Sequence, residues 1–151
     1  MDGRPGRALS GVARNTPTPW TVLEMGGVAR WAAGLSGEEA SRLAGAVGEL
    51  QRVGPALGRP YVDSIKGSRH HNMKELRPLG GNLRVLFAFD RNRQAVLLVG
   101  GDKTNNWAGW YAEHIPRADR LFDQHQRSRG ADGAWRNHTH GRGGPSRGAG
   151  Q

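Results

Sequence analysis

Groups able to hold a phosphate concentrate between Arg59 and Arg84. Arg59, Lys66, Arg69, Lys74, Arg77 and Arg84 stand there against two acids, Asp63 and Glu75. A guanidinium can grip two phosphate oxygens at once, and an ammonium supplies a compact point charge. Such an excess of cations favours a polyanion-binding face. His70 and His71 lie in the same stretch, and imidazole titrates near neutrality, so either is a candidate base or acid. Strand alternation over residues 73–78 sends Lys74 and Leu76 to one side, and Met73, Glu75 and Arg77 to the other. Lys74 and Arg77 therefore cannot line one cleft without a bulge. Arg84 shares its side of the next run with Leu86 and Ala88, opposite Leu83, Val85, Phe87 and Phe89. The blander alternatives are an exposed Arg84 paired with Glu75 across the sheet, and ordinary loop histidines. The sequence contains no carboxylate cluster and no His/Cys spacing that suggests a metal set. His138 and His140 form a His-x-His pair within a low-complexity stretch, which reads as composition. With Cys at 0, disulfides and thiolate sites are excluded.

These residues need elements to carry them. Residues 20–23 read as a short strand and residues 28–35 as a short helix, with Val28, Trp31, Ala32 and Leu35 at helical spacing. Ser36 followed by Glu39 is a capping box that opens a second helix. Ala40, Leu43, Val47 and Leu50 stripe that helix until Gly54-Pro55 stops it near Val53, and the two helices form a hairpin. Residues 56–72 read as a long basic connection. Strands follow over 73–78, 83–89 and 94–99, separated by Gly80-Gly81-Asn82 and Asp90-Arg91-Asn92-Arg93. Their short loops predict an antiparallel meander, ended by Gly100-Gly101. A last helix is expected over 107–124, with Trp110, Ile115, Leu121 and Phe122 available for packing and a possible kink at Pro116. Trp107 and Trp110 have the chemistry to stack on a base, but core packing is the commoner use, as it is for Tyr111. The order strand, two helices, three strands, helix predicts an α+β domain with its helices on one face of a small sheet.

The chain of 151 residues has room for one domain. Residues 1–19 and 126–151 are Gly- and Arg-rich, lack apolar periodicity, and are expected to be disordered basic tails around a domain at 20–125. Of the net charge of +9, the first tail holds +2 and the second +4. The sequence shows no apolar run long enough for a membrane span and no secretory signal, so a cytoplasmic protein is expected.

The segments LGRPYVDSIKGSRHHNMKELRP (57–78) and NLRVLFAFDRNRQAVLLVGGDKTNNW (82–107) carry a resemblance. In order and spacing, their Lys-Glu-Leu-Arg, Leu-Arg-Val-Leu-Phe and Leu-Leu-Val-Gly-Gly-Asp-Lys pieces resemble the RelE/ParE superfamily of type II toxins, in particular its HigB-like, phage-derived branch. The resemblance implies a small antiparallel sheet with an N-terminal helical hairpin and a C-terminal helix. It also implies a ribosome-dependent mRNA endonuclease that works without metal or cofactor and is held in check by a helix-turn-helix antitoxin. By the same resemblance Arg84 matches the strand arginine on the scissile phosphate, and Lys74 the basic strand position. His71 with Lys74 is similar to a His-x-x-Lys pair of the branch. Lys103 matches a Lys-Lys-Thr segment of which one Lys is kept, with Asp102 lowering the local charge. Arg84, Lys74 and His71 are thus the candidate catalytic residues, and Lys66, Arg69, His70, Arg77 and Lys103 the candidate RNA- or phosphate-binding ones. The C-terminal catalytic tyrosine of the branch has no clear match. A gyrase poison or a degenerate toxin domain on the same fold is the alternative function.

Overall fold

A computed structural model describes residues 19–139, with side chains to residue 128. The expected N-terminal tail falls outside these residues but for its last position, as does the His138–His140 pair as a set of ligands. The order is β1 (Thr21–Glu24), α1 (Gly26–Ala33), α2 (Gly37–Val53), a single 3₁₀ turn (Gly54–Ala56), β2 (Val62–Ser64), β3 (Lys74–Leu76), β4 (Leu83–Phe89), β5 (Gln94–Asp102) and α3 (Trp107–Thr139).

The five strands lie in the order β1-β5-β4-β3-β2. The expected meander is present, with β3–β4 and β4–β5 antiparallel. The sheet is not wholly antiparallel, however. β1 pairs parallel to β5, Thr21 opposite Gln94 and Glu24 opposite Leu97, because the helical hairpin carries the chain away before the sheet is built. The long connection also yields a strand that was not expected: β2 adds to the far edge, Asp63 opposite Glu75.

The helices cover both faces of the sheet, which corrects the one-face expectation. Val28 of α1 and Leu43, Ala46 and Leu50 of α2 pack with Val62, Leu76, Val85, Phe87, Ala95 and Leu97 on one side. Trp110, Ile115, Ala118 and Phe122 of α3 pack with Met73, Leu86, Ala88, Val96, Leu98 and Val99 on the other. Strands β4 and β5 are apolar on both sides, and such strands require a cover on each. The α2 start is as expected: Glu39 N donates to Ser36 Oγ and Ser36 N to Glu39 Oε1, both at 3.1 Å. Caps of this kind contribute about 1 kcal/mol.

Strand β5 does not stop at Gly100-Gly101. Leu86 pairs with Val99 and Phe87 with Leu97, so Leu98 is the extra residue of a bulge that re-aims the strand end. Beyond it Gly100 lies under the Trp31 ring, and Gly101 lies under Trp110, whose Nε1 would sit 2.6 Å from an added Cβ. The two glycines thus admit one indole from each face rather than breaking the strand. Helix α3 also outruns its expected end at Gln124, continuing through Pro116 to Thr139.

Candidate functional site

The α3 face of the sheet turns polar where β3 and β4 approach the end of β5. Arg84 on β4 and Gly101 on β5 are partners in register, and Glu75 on β3 stands opposite Leu86, so both charged side chains rise on the α3 side. Tyr111, in the second turn of α3, donates its hydroxyl to Glu75 Oε1 at 2.6 Å. Arg84 Nε lies 3.8 Å from the same oxygen, and Arg77 Nε lies 3.9 Å from Glu75 Oε2. Arg84 is only 5% exposed, and its Nη1 donates to the Leu83 carbonyl at 2.7 Å.

Lys103, immediately after β5, is 1% exposed. Its Nζ lies 2.7 Å from the centroid of the Trp107 ring, an aromatic face that can stabilise a cation but accepts no conventional hydrogen bond. Among the described residues, Lys103 Nζ and Arg84 Nε are the buried side-chain polar atoms that lack a hydrogen-bond partner. Buried charged donors are ordinarily satisfied, since stripping water from them is costly. Two unsatisfied cationic donors in one cluster have the chemistry to accept an anion.

The local field fits that reading. Burial is the main influence holding the Lys103 ammonium below its ordinary 10.5. Repulsion from Arg84 and Arg77 adds to it, while Glu75 and Asp102 oppose it. The Tyr111 phenol is pushed up to about 12, first by burial and then by its hydrogen bond to Glu75. It therefore stays protonated at neutral pH. Asp102 is engaged elsewhere, accepting from Thr104 N at 2.8 Å and Thr104 Oγ1 at 2.5 Å. On the other side of Arg84, an open cavity of about 310 Å³ is lined by Arg59, Arg77, Arg84 and the Leu79–Gly81 turn. Asp63 Oδ2 anchors two of these arginines, accepting from Arg59 Nη2 at 2.9 Å and Arg77 Nη1 at 3.3 Å.

The structure brings Arg84, Lys103 and Arg77 together, as the alternation of β3 and β4 allows. Lys74 is not with them. It pairs with Phe87 and shares the side of Leu76, facing the α1–α2 layer, opposite the side on which Glu75 and Arg84 rise. Arg84 is also not the exposed strand arginine of the bland reading, because α3 covers its face.

The loop residues lie apart from the cluster. His70 Nε2 sits 2.8 Å from Asp123 Oδ1, with its ring edge-on to Phe122 at 5.0 Å. Arg69 pairs with Asp123 through its guanidinium, and its backbone N donates to Asp119 Oδ2 at 3.1 Å. These contacts fasten the β2–β3 loop to α3. Lys66 and His71 are exposed on that loop.

Sequence reasoning missed the position of Tyr111 and the exposure of Trp107, which is 60% exposed. A signal for Tyr111 was present. In a helix starting at Trp107, residues 107, 110 and 111 share a face, so the tyrosine follows Trp110 onto the sheet.

Among the described residues no group of three or more His, Asp or Glu converges as metal ligands, and no helix is long and apolar enough to cross a membrane.

Residues 30–123 match the family described as phage derived protein Gp49-like. Over 99 residues the chain is 50% identical to "Putative toxin HigB3" of Mycobacterium tuberculosis, spanning 66% of this chain and 87% of that protein. Over 109 residues it is 44% identical to "Putative toxin HigB2" of the same organism, spanning 70% of this chain and about half, 54%, of that protein. Among solved structures, the archaeal RelE–RelB complex from Pyrococcus horikoshii aligns with a TM-score of 0.48 at 15% identity, over 57% of this chain and 97% of that one. The toxin–antitoxin complex RelBE2 of Mycobacterium tuberculosis aligns with a TM-score of 0.43 at 20% identity, over 56% and 98%.

Proposed function

The chain belongs to the Gp49-like family that includes the HigB-type toxins, and we propose that it is the toxin of a toxin–antitoxin pair and a ribosome-dependent mRNA endonuclease that works without metal. One observation carries this reading: the two buried cationic donors without partners, Arg84 Nε and Lys103 Nζ, beside the Tyr111–Glu75 hydrogen bond.

Strand scission of this kind has the RNA 2′-oxygen attack the adjacent phosphorus. The O2′–P bond forms, the P–O5′ bond breaks, the 2′-proton goes to a base, and the departing 5′-oxygen takes a proton. In the proposal Arg84 and Lys103 brace the non-bridging oxygens as negative charge builds on them. Glu75 takes the 2′-proton. Tyr111, still protonated at neutral pH because its phenol titrates near 12, gives its proton to the 5′-oxygen, since an alkoxide is more basic than a phenolate. The 2.6 Å hydrogen bond then returns the proton from Glu75 to Tyr111, and both groups are restored. Arg77 and Arg59, anchored by Asp63, hold neighbouring phosphates. His71 and Lys74 have no part in this scheme, and Lys66, Arg69 and His70 serve the loop on which they sit.

The working domain in this proposal is residues 20–125. The basic ends add sequence-independent attraction to RNA, the partner is a helix-turn-helix antitoxin, and the place of action is the translating ribosome in the cytoplasm.

The test is expression of the chain without a partner, followed by pulse labelling and by cleavage assays on programmed ribosomes. Protein synthesis should stop first, and Glu75→Gln, which keeps an acceptor for Tyr111, should slow cleavage by roughly 10²–10⁴. DNA synthesis stopping first would favour a gyrase poison. No effect from a folded protein would mark a degenerate toxin domain.

A further inference from the structure

Trp107 opens α3 as a residue 60% exposed, while Trp110 in the same turn is 5% exposed and packed on the sheet. The exposed indole is not idle. One of its faces lies over Lys103 Nζ and closes that ammonium from water. The opposite face meets solvent. A flat apolar surface, the largest a side chain can offer, thus stands open next to two cations that each have a donor without a hydrogen-bond partner. The ligand that would satisfy both is an anion carrying a flat ring, and a nucleotide of single-stranded RNA is one.

We propose that Trp107 is a nucleobase platform. Its free face stacks on the base of the nucleotide whose phosphate Arg84 and Lys103 hold, so that lysine, indole and base form a three-layer sandwich. This rests on the reading of Arg84 and Lys103 as a phosphate site. Stacking on an indole is available to any base, because every base has a π-face. The platform therefore sets which phosphate is presented, not which base is read. Trp107 is a positioning residue: it fixes the nucleotide along the strand, and Arg84 and Lys103 meet the phosphate that follows from that placement.

The test uses the full chain and three probes: a short 2′-O-methyl RNA that cannot be cut, an abasic ribose-phosphate strand of the same length, and inorganic phosphate. Trp107→Leu keeps an apolar cover on Lys103 but has no π-face, and Trp107→Phe restores a smaller one. The base-bearing strand should bind Trp107→Leu about tenfold or more weakly than the parent, with Trp107→Phe between them. The abasic strand and phosphate should bind all three alike. Arg84→Gln should weaken every probe. Thermal unfolding checks that each variant is folded.

Equal binding of the base-bearing strand by parent and Trp107→Leu, with Arg84→Gln still weakened, overturns the platform and leaves the phosphate site standing. Failure of the parent to bind any probe, or indifference to Arg84→Gln, overturns the phosphate site and the platform with it. If Trp107→Leu loses affinity for the antitoxin and none for RNA, the open face belongs to a protein partner and the proposal is wrong.

Discussion

Helix α3 holds charge against the sheet at two places. Toward its described end, His125 Nε2 lies 2.7 Å from Asp90 Oδ2, and Asp90 also accepts from Asn92 N, Gln94 N and Gln94 Nε2 at 2.8 to 3.0 Å. Asp119 accepts from Ser68 Oγ and Arg69 N, and Asp123 accepts from Arg69 and His70. These carboxylates are all engaged. At the first turns of the same helix, Arg84 and Lys103 are as buried as Asp90 and Asp119, yet Arg84 Nε and Lys103 Nζ lack hydrogen-bond partners. Charge with partners fastens the helix, and the buried charge without them is what the proposed phosphate would satisfy.

That contrast can be broken most sharply at Arg84. Arg84→Met keeps much of the volume and removes the cation. Cleavage on programmed ribosomes should fall by about 10²–10³, while thermal stability holds or rises, because apolar replacement of a poorly paired buried charge is often stabilising. A matching collapse of stability would make Arg84 a structural residue like Asp90. Asp90→Ala should do the reverse. It strands His125 and opens the β4–β5 turn, costing about 3 kcal/mol of stability, while cleavage per folded molecule stays at the parent rate. A large drop in specific activity would show that the two ends are coupled.

The smallest effects are in pH. For Asp90, burial pushes the carboxyl upward, but hydrogen bonds from His125, Gln94 and Asn92 win and hold it below its ordinary 3.8. Its contribution to stability is present above 3.8 and is lost as pH falls through the folded value, so Asp90→Ala should flatten the acid limb of a stability curve. Lys103 behaves oppositely, because the fold disfavours its charge. Its penalty acts in full below the folded pKa and is relieved as pH rises from there toward 10.5. The parent should therefore gain stability toward alkaline pH relative to Lys103→Met. No such gain would mean that Lys103 is satisfied after all.

Local signals in the sequence were reliable where the chain depends on near neighbours. The Ser36–Glu39 box marks the start of α2, and the apolar run Leu83–Phe89 is strand β4 over those same residues. Alternation rightly separated Lys74 from Arg77, but which side α3 would cover is a tertiary fact. Even so, Leu86, Ala88, Val96 and Leu98 form a second apolar face that calls for a cover, and recognising it would have buried Arg84. Strand β2 was hidden because Val62–Ser64 is three residues long and depends on β3 for its pairing. Gly100 and Gly101 read as breakers because the indoles that need their missing side chains come from elsewhere in the chain.

The place of β1 in the sheet has a consequence in time. This strand is synthesised early, yet its sole neighbour is β5, and pairing Thr21 with Gln94 must wait for nearly the whole domain. The proposed cutting groups follow the same schedule, since Glu75, Arg84, Lys103 and Tyr111 emerge one after another and meet only when α3 docks on the sheet. A nascent chain therefore has no assembled site until the first turns of α3 have been made. The proposed activity thus waits on the docking of α3, after every strand of the sheet has been made.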